Sequence, residues 1–450
     1  MTRTLIEKYG ETRLPRYTSY PTAPLFSSEI GPGEYGDWLR SVPSGESTSL
    51  YLHIPFCRAM CWYCGCHTTI TERDQPILDY LDLLQKEVHL VSQTRRDPLA
   101  IGEIHFGGGT PTIMTPEAFT ALIGVLRENV AINASTRIAV EIDPRTLTAE
   151  MAGALGQAGV TRASLGVQSF DPVVQKAINR VQSAETTAEV VFGLRANGID
   201  AINFDLIYGL PFQTVRSCIE TVEAAIKMRP DRFSVFGYAH VPGFKKHQRL
   251  VDEKALAGAQ ERNEQSEAIA DALVVAGYRR IGLDHFARPQ DDLAIASESG
   301  RLHRNFQGYT TDECRTLIGL GASSIGRFAE GYVQNEVPLG LYAKRISQGE
   351  LATTKGYALT AQDRFRADVI ERLMCDFRVD LSTIAAAHGF DPDLLTANNA
   401  RLQELMDDGI VDLDARVVRV RDGHRFMIRA VASAFDAYFG ELGASYSKAA

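Results

Sequence analysis

The sequence predicts an α/β protein: an incomplete (β/α)6-type barrel preceded by an N-terminal arm and followed by a mainly helical, winged-helix-like C-terminal domain. Three observations lead there. Six short β-like runs recur at spacings that leave room for helices, the intervals carry apolar residues at helical spacing, and no glycine-rich dinucleotide fingerprint accompanies them.

The six runs are SLYLHI (49–54), IGEIHF (101–106), RIAVEI (137–142), RASLGV (162–167), AINFDL (201–206) and RFSVFG (232–237). Between the first two, Ile77, Leu78, Leu81, Leu84, Val88 and Val91 mark one helix; Phe119, Leu122, Ile123 and Leu126 mark the next. Strand–helix alternation implies a parallel sheet, since parallel neighbours need a crossover. Polar residues at the strand ends suit a barrel, whose active site sits there. Upstream, RYTSYPTAPLF (16–26) reads as an ordered extended arm, and GPGEYG and SVPSGES read as turns. Downstream come a helical stretch from Glu253 to Ala276 and a loop-rich segment, 284–312, dense in His, Arg and aromatics. From about 360 onward the chain reads as helices with a hairpin, IVDLDARVVRV (410–420), the pattern of a winged helix. The expected division is 1–45 (arm), 46–290 (barrel), 291–358 (a connecting segment completing the active site) and 359–450 (C-terminal domain).

A chain of 450 residues exceeds one hydrophobic core. A net charge of −9 argues against a general nucleic-acid or membrane binder, although a local cationic cluster can still meet an anionic substrate. The polar N-terminus and the lack of an apolar run long enough to span a bilayer make cytoplasmic residence the expectation. Of seven cysteines, four lie between positions 57 and 66, which points to metal or redox chemistry.

Cys57-x3-Cys61-x2-Cys64-x-Cys66 directly follows the first strand. A thiolate-held cluster needs several soft anionic ligands in one small volume, and a loop past a strand end can supply them. A zinc knuckle is the competing reading, but its ligand pairs are usually separated by a longer loop. A disulfide is weaker still in a reducing compartment. HFGGGTP (105–111) closes the second strand, where three glycines permit close approach of a ligand or simply make a tight turn. Glu141, Gln168, Asp205, Tyr238 and His240 stand at four further strand ends. Glu141 and Asp205 suit ligand groups that donate hydrogen bonds.

The x3, x2 spacing resembles the signature of the radical S-adenosylmethionine (SAM) superfamily. There, three thiolates hold a 4Fe–4S cluster with one open iron, and reductive cleavage of the cofactor yields a 5′-deoxyadenosyl radical. On that pattern Cys57, Cys61 and Cys64 are the ligands and Cys66 is a surplus, structural or supporting thiol. A narrower resemblance follows from PRYTSYPTA (15–23), YLHIPFC (51–57), CGC (64–66), GGGTPT (107–112), EIDPR (141–145), GVQSF (166–170), NFDLIYGLP (203–211), SVFGYAHVP (234–242), LDHFARP (283–289), LHRNFQGYTT (302–311) and VQNE (333–336). Together these resemble the oxygen-independent coproporphyrinogen III oxidases.

The resemblance implies a radical SAM barrel and a haem-biosynthetic oxidoreductase that converts two propionates of coproporphyrinogen III to vinyl groups, giving protoporphyrinogen IX. It implies two SAM molecules, with Tyr51, Gly108, Glu141 and Ile325 at the first and Tyr63, Gly109, Thr110, Gln168, Arg180, Asp205 and Ala239 at the second. It also implies an electron-donor protein such as a flavodoxin or ferredoxin, with no nucleic-acid or membrane partner and a monomeric chain. No side chain is expected to act as a catalytic acid or base. An anionic tetrapyrrole needs cationic clamps, and Arg16, Arg288 and Arg304, in the family-like segments, are the candidates. GFKKHQR (243–249) departs from the family pattern and carries no expected site.

Two binding functions compete. A haem chaperone on nearly the same barrel usually lacks the RYTSYPTA arm and carries Phe at the position of Cys66. A transcription factor would need a basic recognition region, whereas LQELMDDGIVDLDA is acidic. An anaerobic haem-degrading methyltransferase relative is a third alternative.

Overall fold

In the computed structural model, which describes residues 3–440, all six predicted strands form. They are β1 (Ser47–Ile54), β2 (Ala100–Gly108), β3 (Ala131–Ile142), β4 (Arg162–Gln168), β5 (Ala201–Tyr208) and β6 (Arg232–Gly237). Each lies beside the next in chain order, and every neighbouring pair is parallel. Helices Gln75–Gln93, Pro116–Asn129, Ala149–Ala158, Ala184–Ala196 and Val215–Lys227 cross between them. Four of these begin on a Ser or Thr whose hydroxyl accepts an otherwise orphaned amide: Thr115, Thr148, Ser183 and Thr214.

Alternation along the strands separates core from site. Ala163, Leu165 and Val167 of β4 are buried, as are Ile202, Phe204 and Leu206 of β5, and they pack in the main core with residues from the helices. The intervening residues, Ser164, Gly166 and Gln168 on β4 with Asn203 and Asp205 on β5, therefore take the opposite face, the barrel interior. The polar strand ends are thus a consequence of the period-two pattern.

The sheet runs past the six strands on both sides, to twelve in all. Beyond β1 lie Thr316–Leu320 (parallel to it), Ile325–Arg327, Gly331–Asn335 and Thr353–Ala358; beyond β6 lie His285–Ala287 and Arg279–Ile281. The stretch 316–358, expected as part of a connector, therefore holds four strands of the sheet and a helix, Leu339–Ser347. GLGASSIG (319–326) is the turn joining two of these strands: a Cβ on Gly319 would lie 2.8 Å from the Ile325 backbone.

Other expectations need correction. GPGEYG opens a helix, Pro32–Ser41, and is not a turn: the Glu34 carboxylate accepts the Gly31 amide at 2.9 Å, and Pro32 stands where its missing N–H costs nothing. Arg3–Gly10 is also helical. The stretch Glu253 to Ala276 divides at Gly258 into a 3-10 turn, Glu253–Ala255, and a helix, Ala259–Val275. Segment 284–312 holds a short helix, Asp292–Glu298, and a hairpin pairing His303–Asn305 with Gly308–Thr310, besides the strand His285–Ala287 at its start.

The C-terminal part has a winged-helix arrangement. Helices Ala361–Asp376, Leu381–His388 and Ala400–Asp407 accompany a three-stranded sheet of Arg378–Asp380, Val411–Asp414 and Val417–Val420. Residues 441–450 of the expected domain lie outside the described residues. The N-terminal arm shares this domain's core: Tyr9, Leu14, Tyr17 and Tyr20 pack with Phe365, Leu373, Phe426 and Phe435. Arg429 Nε donates to the Pro15 carbonyl at 2.8 Å, and the Tyr17 hydroxyl donates to Asp436 at 3.0 Å.

One buried carboxylate joins the added strands to the barrel. Glu87, 1% exposed on helix Gln75–Gln93, accepts hydrogen bonds from the Gly321 amide (2.6 Å), Asn335 Nδ2 (2.6 Å) and the Tyr342 hydroxyl (2.8 Å). Burial pushes its pKa from 4.5 up to about 7 against the pull of those donors. A folded-state pKa raised this way means that the native state holds the extra proton, so stability present below pH 4.5 is lost as pH rises through 7. Urea midpoints measured between pH 5 and 8 should fall in the wild type and change less in Glu87→Gln. Glu87→Ala, which orphans three buried donors, should lose about 3 kcal/mol.

Candidate active site at the carboxyl ends of the strands

The cysteine loop leaves β1 at its carboxyl end, and donors from elsewhere in the barrel reach its sulfurs. Cys57 Sγ accepts from Thr68 Oγ1 at 3.3 Å and lies 3.4 Å from Thr110 Oγ1. Cys61 Sγ accepts from Arg145 Nη2 and Arg180 Nη1, each at 3.5 Å. Cys64 Sγ accepts the Cys66 amide at 3.4 Å. The Cys66 thiol hydrogen-bonds it as well, and this, opposed by burial, brings Cys64 down to about 6. Burial raises Cys57 despite its two hydroxyl donors.

Such a donor set favours anionic sulfur, the form that ligates iron. Among the described residues, no group of three or more His, Cys, Asp or Glu side chains is placed to hold a single metal ion. The donors reach the sulfurs of Cys57, Cys61 and Cys64, the three that suit a thiolate-held cluster, and Cys66 gives its amide to the third.

Beside the loop, Tyr51, Gly108 and Glu141 meet. The Glu141 carboxylate accepts the Gly108 amide at 3.1 Å and lies 3.2 Å from His105 Nε2. Burial raises its pKa, but the His105 and Gly108 contacts outweigh that and hold it below the usual range. Gly107 provides the clearance: a Cβ there would stand 2.7 Å from Glu141 Oε1 and 3.0 Å from the Tyr51 ring. Gly108 has φ +114°, and a Cβ on it would stand 2.6 Å from His53 Cε1. His53 in turn holds Tyr51. Its Nε2–H donates to the His67 carbonyl (2.9 Å), which leaves Nδ1 to accept the Tyr51 hydroxyl (3.0 Å). Burial keeps this imidazole neutral by lowering its pKa. Ile325 joins the group through register, since Tyr51 pairs with Gly319, whose α-carbon packs on the Ile325 backbone.

A second group lies across the loop. Arg180 is 6% exposed; it donates to the Gly166 carbonyl (2.6 Å) and bridges Cys61 to Asp143 (3.2 Å). Gln168 adopts φ +65°, and its buried Oε1 has no hydrogen-bond partner. Asp205 accepts from Ser164 Oγ (3.0 Å) and Asn203 Nδ2 (2.8 Å). Burial, with the negative Glu141 adding to it, pushes Asp205 up to about 6. Gly109 and Thr110 donate their amides to the Ile54 and Phe56 carbonyls at 2.8 Å, which fastens the glycine turn to the start of the cysteine loop. Tyr63 packs with Val174, Ile178, Leu210 and Tyr238, and the Ala239 carbonyl accepts from Gln248 at 3.1 Å.

Several contributors were invisible as motifs. Asp143 and Arg145 lie inside the quoted EIDPR stretch, yet only the structure shows Arg145 reaching a cysteine. Burial opposes, but the two guanidinium groups of Arg145 and Arg180 hold Asp143 below its ordinary range. Tyr80, on the helix after the loop, donates to the His53 carbonyl at 2.7 Å and accepts the Ala322 amide at 3.0 Å.

Of the three candidate carboxylate clamps, two stand at the site end of the barrel. Arg16 Nη2 donates to the carbonyl of Gly237, the last residue of β6, at 3.3 Å, and Arg304 Nη2 donates to the Arg16 carbonyl at 3.5 Å. Arg288 does not join them. Its Nε donates to the carbonyl of Pro230, ahead of β6, so it lies at the opposite end of the strand.

Residues 51–225 match the Radical SAM superfamily. The chain is 57% identical over 434 residues to the oxygen-independent coproporphyrinogen III oxidase of Bradyrhizobium diazoefficiens, covering 96% of both chains. To the protein of that name in Paracoccus denitrificans it is 40% identical over 447 residues, covering 99% of this chain and 98% of the relative. The solved coproporphyrinogen III oxidase of Escherichia coli, described as a radical SAM enzyme, superposes with a TM-score of 0.89 at 36% identity, covering 95% of this chain and 100% of that one.

The geometry separates the cysteines by their expected behaviour. Cys57→Ala, Cys61→Ala or Cys64→Ala should abolish the visible absorption of the reconstituted cluster, whereas Cys66→Ala should keep most of it. Gly108→Ala should keep the absorption but lose about a hundredfold in kcat/KM, because its methyl displaces His53 and with it Tyr51.

Proposed function

The chain belongs to the oxygen-independent coproporphyrinogen III oxidase family, and from that premise we propose which of its residues carry the reaction. The reaction is the oxidative decarboxylation of two propionates of coproporphyrinogen III to vinyl groups, giving protoporphyrinogen IX in haem biosynthesis. The cluster and SAM implied by the family supply, when bound, the 5′-deoxyadenosyl radical that removes hydrogen from a propionate β-carbon.

Cys57, Cys61 and Cys64 hold the cluster; the donors converging on Cys61 and Cys57 support that reading. Two SAM molecules bind. At the first, Glu141 receives the methionine ammonium. Its oxygens already accept Gly108 and face His105, yet each keeps acceptor capacity. Tyr51, Gly108 and Ile325 line the same site. At the second, Gln168 offers the unpartnered Oε1 and Asp205 a carboxylate to ribose hydroxyls or an amine. Arg180 faces a carboxylate, and Tyr63, Gly109, Thr110 and Ala239 shape the walls. Arg16 and Arg304 meet substrate carboxylates.

No carboxylate or imidazole is assigned as a catalytic acid or base: hydrogen abstraction is radical, and the chain's residues bind, orient and exclude water. A flavodoxin- or ferredoxin-type protein supplies the electron. The enzyme works in the cytoplasm.

The observation that carries the assignment is the meeting of Tyr51, Gly108 and Glu141 beside the cysteine loop. Anaerobically reconstituted protein with reductant and SAM should release two carbon dioxide molecules per coproporphyrinogen III. Formation of 5′-deoxyadenosine without any decarboxylation would sink the substrate assignment while leaving radical generation intact. Bound SAM counted in the reconstituted protein should fall from two to one in Asp205→Ala; a wild-type count of one would refute the second site.

A further inference from the structure

Segment 243–250, which follows β6, clasps the cysteine loop from outside. Lys245 Nζ donates to the Cys66 carbonyl at 2.8 Å, and His247 Nε2 donates to the Cys64 carbonyl at 2.7 Å. Gln248, fully buried, donates to the carbonyls of Tyr63 (2.9 Å) and Ala239 (3.1 Å) and accepts the Val241 amide (2.6 Å). These three side chains serve the loop; their neighbours do not. Phe244 is 68% exposed and Leu250 60% exposed. Lys246 and Arg249 are exposed as well, with no hydrogen bond or ion pair from their side chains among the described residues. Phe212, 52% exposed, is tied to the same region by its amide on the Ala255 carbonyl at 3.0 Å.

We propose that this segment is the docking surface for a small acidic one-electron carrier protein. The inference rests on the reading that Cys57, Cys61 and Cys64 hold the cluster. Exposed Phe244 and Leu250, in one eight-residue stretch with the unpaired cations Lys246 and Arg249, have the make-up of a transient protein interface. The local charge runs against the whole chain: Lys245, Lys246, Arg249 and Lys254 meet only Asp252 and Glu253, in a protein of net charge −9. Both carboxylates are committed, Glu253 to His240 at 2.9 Å and Asp252 to the Lys254 amide at 3.0 Å. The surface therefore attracts an acidic partner where the rest of the molecule repels one.

The redox role follows from what lies underneath. His247 is one hydrogen bond from the backbone of Cys64, so a carrier seated here is separated from a cluster ligand by a single side chain. The transfer is one electron, from the reduced carrier to the cluster, with no bond made and no proton moved.

The test uses reconstituted holoenzyme and a purified flavodoxin. Lys246→Glu/Arg249→Glu, and separately Phe244→Ser, should each weaken flavodoxin binding in calorimetry by about tenfold. The charge pair should also flatten the dependence of affinity on salt. Flavodoxin-driven formation of 5′-deoxyadenosine at limiting carrier should fall in step, while dithionite-driven turnover and the KM for coproporphyrinogen stay at wild-type values. Unchanged flavodoxin affinity in both variants overturns the proposal. So does an equal loss of dithionite-driven turnover, or a raised KM for coproporphyrinogen, since either makes the segment part of the substrate entrance. The cluster's visible absorption, read before any carrier is added, separates failure of the cysteine assignment from failure of the docking surface.

Discussion

The cysteine loop holds little secondary structure of its own, and its shape is imposed from outside by hydrogen bonds to its backbone. The Met60 carbonyl accepts Asn179 Nδ2 at 2.8 Å, and the Trp62 amide donates to the Ile178 carbonyl at 2.9 Å. Carbonyls of Tyr63, Cys64, Cys66 and His67 are taken by Gln248, His247, Lys245 and His53. The partners come from β1, from the segment after β4 and from the segment after β6. The ends of the loop pair with each other, Phe56 with Thr69 and Cys57 with Ile70, and the barrel supplies the pairing for the stretch between them.

The same constraint explains the charges beneath the loop. A thiolate-held cluster is anionic, and Arg145 and Arg180 both reach Cys61. Two guanidinium groups so close would repel each other, and the Asp143 carboxylate between them offsets that repulsion. Glu141 and Asp205 sit farther along the rim, and their mutual repulsion adds to the burial that raises Asp205. The rim therefore divides into a sector under the sulfurs that holds Arg145 and Arg180 and an acidic sector that holds Glu141 and Asp205.

Much of the barrel was legible because its signals are local. Six strands could be read from runs of β-branched and aromatic residues, and their parallel direction followed from the need for crossovers. The sites at their carboxyl ends followed from alternation. What escaped depended on long-range packing. Thr316–Leu320 is apolar in a way that fits a helix or a strand, and only its place beside β1 decides. GPGEYG carries turn residues, yet its proline and Glu34 start a helix whose buried face, Tyr35 and Leu39, lies partly beyond the motif. Arg288 shares its motif with residues near the site, but a short antiparallel strand reverses the chain and carries it to the other end of β6.

The winged-helix part makes sense once its core is followed. The arm fills this part's core with Tyr9, Leu14, Tyr17 and Tyr20. Arg16 lies in the chain between two of these anchors, Leu14 and Tyr17. Its guanidinium reaches the Gly237 carbonyl because Arg429 and Asp436 of the C-terminal part hold the residues on either side of it. The C-terminal domain acts on the site through the arm: packing far from the cluster sets where one cation stands at the mouth of the barrel. That coupling accounts for an arm too rich in aromatics to be a linker, since each tyrosine fixes a stretch of chain that has no sheet or long helix of its own to hold it.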